Sequence, residues 1–253
     1  MKKITGLVCL LLIAALLGTA AYAEEAKTYV VGTNAEFPPF EFIDDNGGFA
    51  GFDMELIAAI LDGAGLAYEY TTMEFDALPS ALSSGKIDIA IAAMTINDTR
   101  KKSVLFSEPY FHATQKIIVP AEGATVASEA DLEGKKVGVQ LGTTGDLYIS
   151  SLVDYSADIE RFSKALDAVM DVKAGRLDAV IVDEGVSSYF VNAIDGLVIL
   201  EETLSDEYYG IAMALGSDDF MNEVINVQLA ELIETGKFDE LMVKYFGTVE
   251  AES

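Results

Sequence analysis

The sequence predicts an α/β protein of two similar lobes, each a mainly parallel sheet flanked by helices, and three observations support this. The phrase Gly-Lys-Ile-Asp at 85–88 follows a helical pattern and precedes an apolar run. A near copy, Gly-Arg-Leu-Asp at 175–178, has the same surroundings. Each copy predicts a helix that ends at glycine and a buried strand that follows. Helix-like and strand-like segments also alternate along most of the chain, which is typical of parallel sheets.

The elements of the first lobe follow from turn residues and apolar spacing. They are a strand at 29–33 that ends in a polar loop, a hairpin turning at 44–48, a helix from Asp53 to Gly63 or Gly65, a helix at 77–84 and a strand at 87–94. Apolar residues at 57, 60, 61 and 64 lie on one face of the first helix, as expected for a helix that covers a sheet.

A second series of elements begins with a strand at 115–119. It continues with a strand at 136–140, a helix from about Asp146, a helix at 164–174, a strand at 178–182, a helix at 185–193 and a strand at 208–215. The amphipathic segment 218–246 has no counterpart in this series, so we expect it to pack on the first lobe. These limits predict one lobe from 24–112 plus 208–253, a second from 115–206, and a two-stranded hinge near 112–115 and 205–208.

The first 23 residues have the features of a signal peptide. Lys2 and Lys3 precede an apolar run at 7–17, and Ala-Tyr-Ala at 21–23 provides a cleavage site. The run is short for a membrane span. Cys9 lies inside it, too early for a lipoprotein attachment site. We therefore expect an exported, soluble protein, periplasmic or extracellular.

Composition excludes several classes of protein. Cys9 is the only cysteine, so the mature chain can form no disulfide, cysteine–zinc site or thiol nucleophile. His112 is the only histidine, which excludes a histidine-rich metal site, and no cofactor is indicated. With 42 acidic residues against 16 basic ones, the chain is a poor partner for nucleic acid or an anionic membrane.

Polar residues at the carboxyl ends of the repeated strands form a candidate binding site, because ligands collect beyond such ends in open α/β sheets. Thr95, with Arg100 close behind, follows the first strand, and Asp183 follows the second. A cation on one lobe and an anion on the other suit a small zwitterion. On the residues alone, Arg100 could equally be a surface residue beside Lys101 and Lys102.

Several segments together resemble the periplasmic solute-binding proteins for polar amino acids that serve ABC importers (family 3, the glutamine-, histidine- and arginine-binding type). The similarity extends over nearly all of the mature chain, and the joint order and spacing of the segments make it specific. The segments are 32–42, 51–56, 94–102, 106–110, 138–145, 178–184, 209–212 and 236–239. The resemblance implies a type II periplasmic-binding-protein fold that closes around one free amino acid, and a monomer that delivers it to a permease.

The resemblance also implies how the two charged ends of the ligand are held. Arg100 would bind the α-carboxylate through its planar fork, with Thr95 and Thr144 completing that site. Thr144 lies in a glycine-flanked loop before a helix, where backbone N–H groups favour an anion. Asp183 would bind the α-ammonium, sharing it with the Ala93 carbonyl and the Thr95 hydroxyl.

The candidates for contacting the ligand's side chain are Phe37 and Phe75 as aromatic walls, Asn34, Glu36, Glu41 and Gln140 as polar groups, and Thr143 beside Thr144. Core packing is the alternative role for either phenylalanine. The neutral Asn34 and Gln140 favour glutamine, whereas arginine, lysine or histidine would need Glu36 or Glu41. Asp53 fits a helix cap, and we assign it no ligand role.

An enzyme on the same fold is the alternative function. Some relatives are cyclohexadienyl dehydratases, which need a general acid in the cleft, and Glu184 or Glu36 could serve only if burial raised its pKa. A receptor's sensing domain is a third reading, disfavoured because no membrane segment follows residue 246.

Overall fold

A computed structural model describes residues 27–152 and 157–247. The expected signal peptide, with Cys9 and the cleavage triplet at 21–23, lies outside the described residues. The strands are β1 (Thr28–Thr33), β2 (Glu36–Phe37), β3 (Glu41–Ile43), β4 (Phe49–Ala50), β5 (Ala67–Thr72), β6 (Ile89–Ala90), β7 (Val104–Phe106), β8 (Phe111–Ala113), β9 (Gln115–Pro120), β10 (Lys136–Gln140), β11 (Asp158–Phe162), β12 (Ala179–Asp183), β13 (Leu197–Ile199), β14 (Glu207–Tyr209) and β15 (Ala212–Ala214). The helices are α1 (Phe52–Gly63), α2 (Leu78–Ser83), α3 (Thr144–Ser151), α4 (Ala165–Lys173), α5 (Glu184–Ala193), α6 (Asp218–Phe220), α7 (Asn226–Glu234) and α8 (Lys237–Phe246).

The described strands include two five-stranded sheets, one at the centre of each lobe. The first has the order β5-β1-β6-β15-β7 and the second the order β11-β10-β12-β9-β13. In each sheet one strand, β15 or β9, runs antiparallel to its neighbours, and the other four share one direction. The prediction of two lobes with mainly parallel sheets is therefore confirmed.

A pair of short strands connects the sheets. β8 and β14 pair in antiparallel fashion, with His112 opposite Tyr208. They lie where the sequence predicts a hinge, at 112–115 and 205–208. The hinge and the lobe limits at 24–112 plus 208–253 and 115–206 stay predictions.

The repeated phrase ends a helix in the same way in both lobes. Gly85 and Gly175 follow α2 and α4 with φ of 70° each, a conformation that costs glycine little. The next residue in each copy donates its N–H back into the helix, Lys86 to the Ala81 carbonyl at 2.9 Å and Arg176 to the Asp171 carbonyl at 2.9 Å. This is the glycine-terminated helix end that the sequence predicts.

The aspartate of the phrase secures the neighbouring parallel strand. Asp88 accepts the Val30 N–H at 2.9 Å, and Asp178 accepts the Lys136 N–H at 2.9 Å, so each carboxylate satisfies a donor where β1 or β10 begins. The strands that carry the candidate binding residues are thereby set in register in both lobes.

The apolar residue of the phrase explains a glycine in each central strand. A Cβ atom on Gly32 would lie 2.4 Å from the Ile87 side chain, and one on Gly138 would lie 2.6 Å from the Leu177 side chain. Only glycine leaves room for this close packing of the helix–strand connection on the strand.

Two predicted strands are shorter than expected. The run 87–94 forms only β6, because the chain turns at Ala93, which has a φ of 46°. The run 208–215 divides into β14 and β15 around Gly210, where a Cβ atom would lie 2.8 Å from the Ile96 side chain.

The last helices return to the first lobe. α7 and α8 pack on α1, where the ring of Phe52 lies 5.7 Å from that of Phe238 and 5.4 Å from that of Phe246. Among the described residues, no helix has the length and apolar character needed to cross a bilayer.

Candidate ligand-binding site

A cavity lies between the two lobes, with about 260 Å³ of space unoccupied by protein atoms, part of which is open to solvent. It is lined by Asn34, Phe37, Glu41, Phe75, Ala92, Ala93, Thr95, Arg100, Gln140, Thr143, Thr144 and Asp183. Every residue to which the resemblance assigns a ligand contact is in this set, apart from the open alternative Glu36.

Arg100 is buried at 8% exposure, unlike its neighbours Lys101 and Lys102, so it is not a surface arginine. Its guanidinium donates to the Thr95 carbonyl at 2.7 Å and to the Gly142 carbonyl of the other lobe at 3.1 Å. The guanidinium carbon lies 5.1 Å from the centre of the Phe75 ring. These contacts fix the plane of the fork and leave further N–H donors for a ligand.

The positive charge of Arg100 has no direct counter-ion in the described part of the chain, where no carboxylate oxygen lies within 4 Å of it. Burial lowers the pKa of Arg100 to about 10, and the negative charges of Glu207 and Asp183 act against this shift. A ligand carboxylate would supply the missing counter-ion.

Asp183 lies on the opposite side of the cavity at 5% exposure. It is the residue before α5, but its side chain makes no capping bond to that helix and accepts instead the Tyr209 hydroxyl. Burial raises the pKa of Asp183 to about 6, and the nearby Glu207 adds to the shift. A cation in the cavity would stabilise the ionised form.

The hydroxyls of Thr95 and Thr144 meet at a carboxylate that the sequence did not single out. Glu207 accepts from Thr95 at 2.6 Å and from Thr144 at 2.7 Å, both at Oε2. A threonine hydroxyl has one proton to donate, so these protons are engaged. Any help that Thr144 gives a ligand carboxylate must therefore come from the free backbone N–H groups where α3 begins.

Thr143, not Thr144, is the N-cap of α3. Its hydroxyl donates to the Gln140 carbonyl at 2.8 Å and accepts the Asp146 N–H at 3.4 Å. Thr143 lines the cavity, but its hydroxyl proton is already used within the loop, so it can only accept a further hydrogen bond.

Asn34 and Gln140 are bonded to each other across the cleft. The Gln140 amide donates to the Asn34 side-chain oxygen at 2.8 Å and to the Ser163 carbonyl at 3.0 Å, and the Asn34 amide donates to the Met73 carbonyl at 2.8 Å. Both N–H groups of the Gln140 amide are used in this way, whereas Asn34 uses one of its two, so the second Asn34 N–H and the Gln140 Oε1 are left for a ligand.

The register of a short hairpin separates Glu41 from Glu36. β2 pairs with β3 so that Phe37 lies opposite Glu41 and Glu36 lies opposite Phe42. Paired residues share a face of the sheet, so Phe37 and Glu41 both face the cavity. Glu36 faces outward and forms a 2.7 Å ion pair with Lys164, which leaves Glu41 as the acid inside the site.

Glu41 is buried at 1% exposure, and neither of its carboxylate oxygens accepts a hydrogen bond from an N–H or O–H donor among the described residues. Its carboxyl group lies against that of Asp53, with which it shares a hydrogen bond when one of the two is protonated. Burial raises the pKa of Glu41 well above its ordinary value, the charge of Asp53 and this hydrogen bond raise it further, and the charge of Asp183 adds to the shift. A buried pair of acids at a cavity wall is stabilised when one of them is protonated or when a cation binds.

Asp53 supports the cavity wall from behind. Its Oδ2 accepts the Ala93 N–H at 2.7 Å and the Tyr110 hydroxyl at 2.8 Å. Ala93 is the one non-glycine residue with positive φ in the described ranges, and such conformations persist where the surroundings enforce them. Helix α1 begins one residue earlier, at Phe52, so Asp53 is not the expected helix cap.

The remaining sequence candidates differ in position. Phe37 and Phe75, at 6% and 8% exposure, form walls of the cavity. Glu184 is exposed outside it, where it accepts the Thr114 hydroxyl at 2.8 Å. Neither Glu184 nor Glu36, the acids considered for a dehydratase, lines the cavity.

Comparisons with known proteins identify the class of this site. The chain matches the family model of bacterial extracellular solute-binding proteins, family 3, over residues 29–248. It therefore belongs to that family.

Three relatives illustrate the similarity. A probable histidine-binding protein of Neisseria gonorrhoeae is 37% identical, with 90% of this chain and 86% of that protein covered. An L-arginine-binding protein of Pseudomonas aeruginosa is 34% identical, with 87% and 88% covered. The structure of an ancestral arginine-binding protein bound to glutamine has a TM-score of 0.83 and 42% identity, with 87% of this chain and 98% of that chain covered.

Proposed function

We propose that this protein captures one free L-amino acid with a cationic side chain, arginine above all, between its lobes. The observation that carries the proposal is Glu41, a buried carboxyl that lines the cavity, accepts no hydrogen bond from a described N–H or O–H donor and lies against the buried carboxyl of Asp53. A guanidinium would supply two parallel N–H donors and a positive charge to that group.

The backbone of the ligand would be held by charges of opposite sign. Arg100 would bind the α-carboxylate with the N–H groups where α3 begins, because that guanidinium is buried without a direct counter-ion. Asp183 would bind the α-ammonium, with the Thr95 hydroxyl and the Ala93 carbonyl as further acceptors. This arrangement requires a free amino acid and disfavours a peptide, whose termini would not fit a closed cavity.

The side chain of the ligand would extend toward Glu41 between Phe37 and Phe75. Aromatic faces suit both an aliphatic stem and a guanidinium. Glutamine is the competing ligand, since a protonated Glu41 can donate to an amide oxygen. The relatives include proteins named for arginine and histidine and a related structure holding glutamine, so these ligands are the ones to compare.

We further propose that residues 1–23 direct export, and that the closed, loaded monomer delivers its ligand to an ABC importer permease. The family description, which names extracellular solute-binding proteins, supports this route. We propose no enzymatic activity. Incubation with prephenate or arogenate tests the dehydratase alternative, and turnover of either compound would contradict the proposal.

Isothermal titration calorimetry with arginine, lysine, histidine and glutamine tests the ligand class. For the wild type we expect arginine to bind most tightly. Glu41→Gln should weaken arginine binding by about 2–5 kcal/mol, or roughly 30- to several-thousand-fold in Kd, because it removes one partner of a buried charge pair.

Glu36→Gln is the matched control, because it makes the same change on the outward face of the same hairpin. An exposed ion pair contributes about 0–1 kcal/mol, so Kd should change by less than about fivefold. Arginine affinity that survives in Glu41→Gln, or that falls equally in both variants, would refute the assignment of Glu41.

A further inference from the structure

Glu207 lies at the junction of the two lobes and has no ion-pair partner within 4 Å among the described residues. It is 8% exposed on β14 and does not line the cavity. Besides the Thr95 and Thr144 bonds at Oε2, its Oε1 accepts the Ser205 hydroxyl at 2.6 Å. Three hydroxyls thus satisfy this carboxylate in place of a cation.

The two threonines belong to different lobes. Thr95 follows β6 and bridges to Tyr209 beside the first sheet, whereas Thr144 is the first residue of α3 in the second lobe. One oxygen of Glu207 accepts both hydroxyls, which lie 3.3 Å apart. Separation of the lobes would remove at least one of these bonds, so the complete cluster exists only in the closed form.

The bonds to Glu207 fix the direction of the Thr95 and Thr144 hydroxyl protons. Each threonine has a single hydroxyl proton, and a carboxylate can only accept, so both protons point at Glu207. The Thr144 oxygen already accepts from the Gln115 amide at 3.2 Å. The Thr95 oxygen is left facing the cavity as an acceptor, which suits an ammonium and not a carboxylate.

We propose that Glu207 is a positioning residue. Its bonds to Thr95 and Thr144 form when the lobes close, and they hold the Thr95 hydroxyl as an acceptor for the ligand's α-ammonium. It thereby couples lobe closure to recognition of the amino group. This inference rests on the proposed function, because it presumes an amino acid in the cavity.

The test compares the Kd of arginine with that of desamino-arginine, in which hydrogen replaces the α-amino group. Glu207→Leu removes the acceptor at nearly constant size. We expect its preference for arginine over desamino-arginine to fall roughly 10- to 100-fold, the effect of losing a hydrogen bond to a charged group. A merely structural defect would weaken both ligands alike.

Two further variants keep the test decisive. Glu207→Gln retains an oxygen that can accept from both threonines, so it should keep the wild-type preference to within about threefold. Glu223→Gln changes an exposed acid outside the cavity and the hinge and should leave both Kd values unchanged. If Glu207→Leu does not fold, a Glu207→Gln protein that has lost the preference would still overturn the inference.

The outcomes separate this inference from the proposed function. A wild type that binds none of the four amino acids would overturn both. A wild type that binds arginine, together with a folded Glu207→Leu protein whose preference is unchanged, would overturn the role of Glu207 alone.

Discussion

Replacement of Arg100 by alanine should severely weaken the binding of every free amino acid, because it removes the cation that faces the ligand's α-carboxylate. A carboxylate left in the cavity without its guanidinium loses a charge-assisted pair worth about 2–5 kcal/mol. This corresponds to roughly 30- to several-thousand-fold in Kd. Arg100→Lys keeps the charge but not the planar fork, so we expect an intermediate loss of roughly tenfold or more.

The fold itself should tolerate the change. Arg100→Ala removes the bonds to the Thr95 and Gly142 carbonyls, but it also removes a buried charge without a direct counter-ion. These opposing contributions should keep the change in unfolding free energy to about 1–2 kcal/mol. The circular dichroism spectrum of the variant should therefore match that of the wild type.

Calorimetric titration with arginine provides the assay, and Arg176→Ala is the control. Arg176 is exposed and paired with Asp171 on the surface, so its removal should leave the Kd unchanged. An Arg100→Ala protein that binds arginine within about threefold of the wild-type Kd would refute the role of this residue as the carboxylate partner.

Two further predictions concern the buried acids. Because burial raises the pKa of Asp183 to about 6 in the empty cavity, and that of Glu41 well above its ordinary value, bound arginine should favour their ionised forms and release protons. In the free protein these raised pKa values lower the free energy of unfolding as pH rises from about 4 through those values. Bound arginine favours the ionised carboxylates and offsets this loss, so the increase in melting temperature that arginine causes should be larger at pH 8 than at pH 5. An increase that is equal at both pH values would contradict this linkage. Asp53→Leu should lower the unfolding free energy by about 2–4 kcal/mol in urea, because the Ala93 N–H and the Tyr110 hydroxyl lose their buried acceptor, whereas Tyr110→Phe should cost less. A Leu variant as stable as the wild type would show that Asp53 does not support the wall.

Local patterns predicted much of the fold because their physics is local. The glycines at 85 and 175 end helices through their own backbone conformation, which depends on neighbouring residues only. Strand lengths were predicted less well. The strand expected at 87–94 stops at Ala90, since the turn at Ala93 depends on Asp53, which lies 40 positions away in the chain.

In the candidate site, too, local sequence predicted some residues, whereas others depend on contacts between distant parts of the chain. Residues that follow a strand end, such as Arg100 and Asp183, were predicted from their position in the repeated unit. The choice between Glu36 and Glu41 required the register of β2 on β3, which a two-residue strand does not reveal. Glu207 was missed because its three hydroxyl partners come from both lobes, and an acid in an Asp-Glu-Tyr-Tyr segment resembles any solvent-facing acid.

The position of β15 between β6 and β7 has a consequence for biosynthesis. The second sheet is built from one continuous stretch, 115–199, so its pairing needs no residue from a later part of the chain. The first sheet begins earlier in the chain, but β6 and β7 lack their shared partner until β15 (Ala212–Ala214) is available. The lobe that begins first in the chain is thus completed last, and its unpaired strand edges must be kept from wrong partners until the C-terminal segment has emerged from the export channel.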